Sequence, residues 1–158
     1  MTKRQCYPCT ACCEGWLATD SNGIKMQPFN PCRHCTNEGC AIYEDRPVDP
    51  CVGFNCSWLL DQSPLPEHMQ PSECGAIVML NREWQDRKVV YAHPTGEKIP
   101  EETLKWLMNF SVEHSIPLIF YQNLLKNGQF IGMKRFGYGP PSFAQAVRTE
   151  TDPKDPFM

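Results

Sequence analysis

The chain has 158 residues and a formal net charge of −3, with 41% apolar and 21% charged residues. That length holds one ordinary domain, or a small stapled module joined to a modest core. No apolar run approaches the roughly 18 residues that span a bilayer, and 15 basic against 18 acidic residues disfavour a nucleic-acid binder, whose phosphate partner needs clustered positive charge.

The N-terminus carries Lys3 and Arg4 with no apolar stretch behind them, unlike a secretory signal, so a cytoplasmic location is expected. Next comes CYPCTACC, which sets Cys6, Cys9, Cys12 and Cys13 within eight residues. A loop or helical turn with this spacing gathers its thiols on one side, and a metal is their simplest common partner. Of ten cysteines, nine lie between Cys6 and Cys56, and Cys74 stands alone. A reducing compartment and the adjacent pair Cys12 and Cys13 weigh against a disulfide framework.

Residues 1–62 read as a cysteine-rich metal-binding module. Its main candidates for burial are Trp16, Leu17, Ile24, Phe29, Ile42, Tyr43, Val52, Phe54, Trp58 and Leu59. For so thin a core, burial and chain entropy nearly cancel, whereas a structural zinc site contributes about 10–16 kcal/mol of apparent binding free energy. The metal is therefore expected to decide whether this half folds.

Residues 63–75 read as a proline-rich linker or cover loop, because proline removes the donors that a continuing helix or sheet requires. Residues 76–138 read as a small α+β domain. Ala76–Leu80 and Val89–His93 are strand candidates, and Pro100, Glu101 and Glu102 mark a helix start. Leu104, Leu107, Met108 and Val112 would share one face of that helix. Ile116–Gln122 and Gln129–Arg135 follow as strands, joined by a hairpin at Asn127 and Gly128. Residues 139–158 form a tail, loosely held unless Phe143 anchors it. The expected fold class is α+β: a metal-stapled N-terminal module packed on a small antiparallel sheet with one main helix.

After the opening cluster, Cys32, Cys35 and Cys40 surround RHCTNEG, and CAIYEDRP leads to Cys51 and Cys56 in CVGFNCSWLL. With this spacing the first 60 residues or so resemble the CxxCxxCC family, described as a zinc- or iron-chelating domain. The resemblance implies metal chelation by Cys6, Cys9, Cys12, Cys13, Cys32, Cys40, Cys51 and Cys56. Cys35 stands where the family pattern has an apolar residue, and Cys74 lies outside the pattern; both are expected to be buried thiols.

Eight thiols divide into two sets of four, because tetrahedral zinc and a four-iron cluster each take four thiolates. Adjacent Cys12 and Cys13 would point in different directions and serve different centres, although one centre with four spare cysteines is also compatible with the spacing. The expected cofactor is an iron–sulfur cluster or zinc, the cluster placed ahead, at one or two centres. Arg46 is either a donor to the thiolates or a surface partner of Glu44 or Asp45. Tyr43, Phe54 and Trp58 are expected to shell the centres, and His34 to face solvent.

No serine, histidine and acid set or phosphate loop stands out, so no catalytic residue is assigned. The expected function is metal binding in a redox or protein-modification role, with an unidentified protein partner. The alternative is a structural zinc module for protein interaction.

Overall fold

A computed structural model describes residues 4–5, 9–52, 54 and 56–150 of the chain. The fold is α+β. The cysteine-rich half is built from turns and two minimal hairpins, β1 (Thr19–Ser21) with β2 (Ile24–Met26) and β3 (Cys35–Thr36) with β4 (Gly39–Cys40). Short 3₁₀ turns at Tyr43–Asp45, Ser57–Leu59 and Glu67–Met69 connect it to a one-turn helix, α1 (Pro71–Cys74). Gly75, with φ of +79°, ends that turn in the left-handed conformation glycine adopts without penalty, and the chain then enters the sheet.

The sheet has the order β5 (Ala76–Trp84), β6 (Arg87–Pro94), β7 (Leu118–Lys126), β8 (Gln129–Tyr138). Each predicted strand is present; β5, β6 and β8 run longer than expected, and β7 is shifted, starting at Leu118 rather than Ile116 and running to Lys126. The expected all-antiparallel sheet is corrected at its centre, where β6 and β7 pair in parallel. The reason is α2 (Glu101–His114), a crossover helix that returns the chain to the same edge, as parallel neighbours require. Its buried face runs through Thr103, Leu107, Phe110 and Ser111. Val112, expected on that face, is 67% exposed, because the buried stripe follows 103, 107, 110 and 111.

A second helix, α3 (Pro141–Thr149), replaces the expected tail at residues 141–149. Phe143 is its anchor, buried edge-on against Trp84 at a ring separation of 5.8 Å. A Cβ on Gly137 would come within 2.9 Å of the Val147 side chain, so α3 lies directly on β8. Arg135 then closes the helix end by donating to the Val147 carbonyl at 2.7 Å and to that of Glu150.

One contiguous core joins both halves: Ala11, Trp16, Leu17, Cys56 and Trp58 belong to the same buried cluster as the sheet residues. The proline-rich stretch is part of it, with Leu65 and Met69 each 1% exposed. Ser57 ties the halves directly, its hydroxyl accepting from the Leu80 amide at 2.7 Å. Arg4 closes the other side, donating to the carbonyls of Trp58 at 2.9 Å and Leu65 at 2.7 Å while its guanidinium lies over the Trp58 ring.

Candidate metal centre

Cys12 and Cys13 sit on a helical turn. The amides of Cys13 and Glu14 donate to the Thr10 carbonyl at 2.9 and 3.0 Å, and the Thr10 hydroxyl donates to Glu14 Oε2 at 2.7 Å. Successive side chains on such a turn diverge by about 100°, so Cys12 and Cys13 leave it in different directions. Gly15 ends the turn with φ of +99°, and a Cβ there would lie 2.0 Å from the Gln27 carbonyl oxygen. Only glycine lets the arm carrying β1 and β2 cross so closely behind the cysteines.

One group of thiols lies toward the common core. Cys56 is buried in it, and Cys9 and Cys12 pack against it half-buried. Cys9 is also near enough to Cys74 for its charge to act on that thiol. Cys6, the remaining predicted ligand of the opening motif, lies outside the described residues.

The second group lies outward. The Cys32 amide donates to the Cys13 carbonyl at 2.9 Å, which brings the second cysteine segment onto the opening turn. The Cys32 sulfur accepts from the His34 amide at 3.4 Å. Cys35 and Cys40 face each other across the β3–β4 hairpin. Cys51 is carried by the irregular turn Val48–Val52, held from the side by Asn22 Nδ2 donating to the Asp49 carbonyl at 2.6 Å and Ser21 Oγ to Asp49 Oδ2 at 2.9 Å.

Electrostatics link this second group. Burial raises the pKa of Cys35, and the charges of Cys13, Glu14, Cys32 and Cys40 raise it further. Burial likewise raises that of Cys51, with the same push from Cys13, Cys32 and Cys40, while Arg46 opposes it. Five thiols from four chain segments therefore share one neighbourhood, in which burial first and the neighbouring thiol charges second push Cys35 and Cys51 above the ordinary thiol range. Among the described residues, no three Cys, His, Asp or Glu side chains are drawn tightly enough together to hold a metal ion. The donor set is nonetheless all sulfur, which suits zinc or iron and not calcium or magnesium.

Arg46 takes neither predicted acidic partner in this arrangement. It donates to the Tyr43 carbonyl at 2.8 Å, and its guanidinium stacks 3.7 Å over the Tyr43 ring. Tyr43 itself is half-exposed, whereas Phe54 and Trp58 pack into the core. His34 is half-buried, and its Nε2 accepts from Arg33 Nε at 3.2 Å. Cys35, expected as a buried thiol, is half-exposed within the outward group because it sits on a surface hairpin. Cys74 is buried, its Sγ donating to the carbonyls of Ala76 at 3.3 Å and Met69 at 3.4 Å; burial raises its pKa.

The sequence reading missed Arg4, Glu14, Ser21, Asn22 and Asp49 as positioning groups. The turn pair Asn22–Gly23 was the available signal for the arm that steadies the Cys51 loop. Among the described residues, no helix is long and apolar enough to cross a membrane. Comparison with protein-family models, curated proteins and solved structures gave no match.

Proposed function

We propose that the cysteine-rich half is a thiolate metal-binding module with two centres, Cys13, Cys32, Cys40 and Cys51 supplying the outward one and Cys6, Cys9, Cys12 and Cys56 the inward one. The observation that carries this reading is the separation of Cys12 from Cys13. Cys12 packs toward the core with Cys9 and Cys56, and Cys13 joins the thiols whose charges act on Cys35 and Cys51. The resemblance of the cysteine spacing to the CxxCxxCC family supports the same eight residues.

An iron–sulfur cluster in a redox or protein-modification role, served by a protein partner in the reducing cytoplasm, is the reading the outward group favours. Cys13, Cys40 and Cys51 are half-exposed, while Cys32 is buried, and Tyr43, Val48 and Val52, near Cys40 and Cys51 in the chain, are exposed, so a partner could approach within electron-transfer range. The thin apolar core between Ala11 and Trp58 favours the second reading, structural zinc, since a small core needs a staple. Protein purified without oxygen decides between them. Brown colour with iron and acid-labile sulfide supports the first, and colourless protein with stoichiometric zinc the second; folded, metal-free protein overturns both. Cys12→Ser and Cys13→Ser should each remove the metal of one centre and spare the other.

A further inference from the structure

The outward group holds one thiol more than a four-thiolate centre uses, and that thiol, Cys35, is placed opposite a ligand. In the β3–β4 hairpin Thr36 faces Gly39 and Cys35 faces Cys40. The Ala41 amide donates to the His34 carbonyl at 2.8 Å just beyond the cysteines. Bonds of the ladder thus flank the Cys35–Cys40 position, making it a non-hydrogen-bonded pair. At such pairs the Cα atoms lie about 4.5 Å apart with both side chains on one face, within the roughly 4.4–6.8 Å that a disulfide spans. The turn is pinned as well, the Thr36 hydroxyl donating to the Gly39 carbonyl at 2.7 Å and accepting from the Glu38 amide at 3.2 Å. Both thiols are free and half-exposed, so a small oxidant can reach them.

We propose that Cys35 and Cys40 are an oxidisable dithiol, a modification site at which a low-molecular-weight disulfide such as oxidised glutathione closes a cross-strand bond and withdraws Cys40 from the outward centre. In the first step the thiolate of one cysteine attacks the small disulfide, forming a mixed disulfide and releasing one small thiolate. The second cysteine, as its thiolate, attacks the protein sulfur of that mixed disulfide, closing the Cys35–Cys40 bond and releasing the second small thiolate. The two protein sulfurs together lose two electrons, the small disulfide gains them, and the protons pass to the released thiolates. Cys13, Cys32 and Cys51 come from separate segments, and the described strands pair none of them with another cysteine. The withdrawal of a ligand rests on the two-centre reading above; the bond itself rests on the hairpin alone.

The test treats the full-length protein, as purified with its metal, with oxidised glutathione. Combined cleavage after Arg33 and after Glu38 separates Cys32, Cys35 and Cys40 onto different peptides, so an unreduced digest reveals the Cys35–Cys40 bond as two joined peptides. The expected result is that joined pair, loss of one centre's metal, and recovery of the dithiol on adding excess reduced thiol. Cys35→Ser should bind the same metal before oxidation and keep it during oxidation. The proposal is overturned if Cys40 is joined to Cys13, Cys32 or Cys51, if Cys35 stops at a stable mixed disulfide, if no intramolecular bond forms, or if Cys35→Ser lacks the metal or loses it at the wild-type rate. Metal-free protein that still forms the joined pair would sink the two-centre reading while leaving the dithiol intact.

Discussion

The two halves of the molecule solve the same problem with different materials. Between β5 and α3 the chain buries Trp84, Val90, Tyr91, Leu107, Ile119 and Phe143 on long strands and two helices, so side-chain packing alone accounts for order there. Between Ala11 and Trp58 it buries Trp16, Leu17 and Ile24 but spends its remaining positions on thiols, turns and hairpins of two or three residues. Strand pairs that short are marginal in water without further support. On the two-centre reading proposed above, order in the first half rests on cross-links between distant turns; in the second it rests on burial.

Removing the cross-links should have the largest effect. A strong chelator is expected to collapse hydrogen-exchange protection across residues 9–60 while β5 to β8 stay protected, because a structural thiolate site contributes on the order of 10 kcal/mol to the fold that carries it. Equal loss in both halves would mean that the common core, not the thiols, sets the stability of the first. Aromatic truncation tests the same contrast from the other side. Phe143→Ala should cost about 3–5 kcal/mol, since a fully buried aromatic leaves a cavity against Trp84 and frees α3. Phe29→Ala should cost about 0.5–1.5 kcal/mol, because that ring is 50% exposed and meets only the edge of Trp16. Urea denaturation of the two variants gives the comparison directly.

A titratable group inside the sheet gives a pH-dependent effect. His93 is wholly buried and stacked 4.3 Å from Tyr121, and burial lowers its pKa from 6.5 to about 3. The unfolded chain takes up this proton near 6.5 and the folded chain near 3, so between those values the unfolded state binds more protons. The contribution of the neutral ring is complete above 6.5 and is lost as pH falls toward 3, by up to about 1.4 kcal/mol per pH unit. His93→Phe keeps a ring against Tyr121 and removes the proton, so its stability should fall less steeply than wild type between roughly pH 6.5 and pH 4 in urea titrations. An unchanged slope would assign the acid sensitivity to carboxylates elsewhere.

The sheet half was legible because its apolar runs are long: Ala76–Leu80 and Val89–His93 announce strands whatever they pair with. Local sequence does not encode pairing direction, and the parallel β6–β7 contact came instead from the length of the α2 crossover. The tail was misread at residues 141–149 because its prolines read as breakers, although Pro140 and Pro141 suit a helix start and Phe143 and Val147 share the one buried face. In the first half the gathering of cysteines could be read from spacing, but their division into two groups could not. That Cys12 and Cys13 part, and that Cys35 sits opposite Cys40, depends on turn geometry at Thr10–Glu14 and Asn37–Glu38, which no spacing rule reaches.

The last contrast concerns the seam between the halves. Arg4 is the one described residue before Cys9 that grips the cover segment, donating to two carbonyls and to Glu67 Oε1 at 3.0 Å. The Glu67 side chain is 81% exposed, so its ion pair is screened and should be worth less than about 1 kcal/mol. The carbonyls of Trp58 and Leu65 are shielded and accept from a charged donor, a bond type worth about 1.5–3 kcal/mol. Arg4→Ala should therefore destabilise several-fold more than Glu67→Gln, and 0.5 M salt should narrow the Glu67 effect while leaving most of the Arg4 effect, because shielded bonds are screened far less. If the two variants match, the guanidinium acts only through its surface charge, and the seam is held by burial of Leu65, Met69 and Trp58 alone.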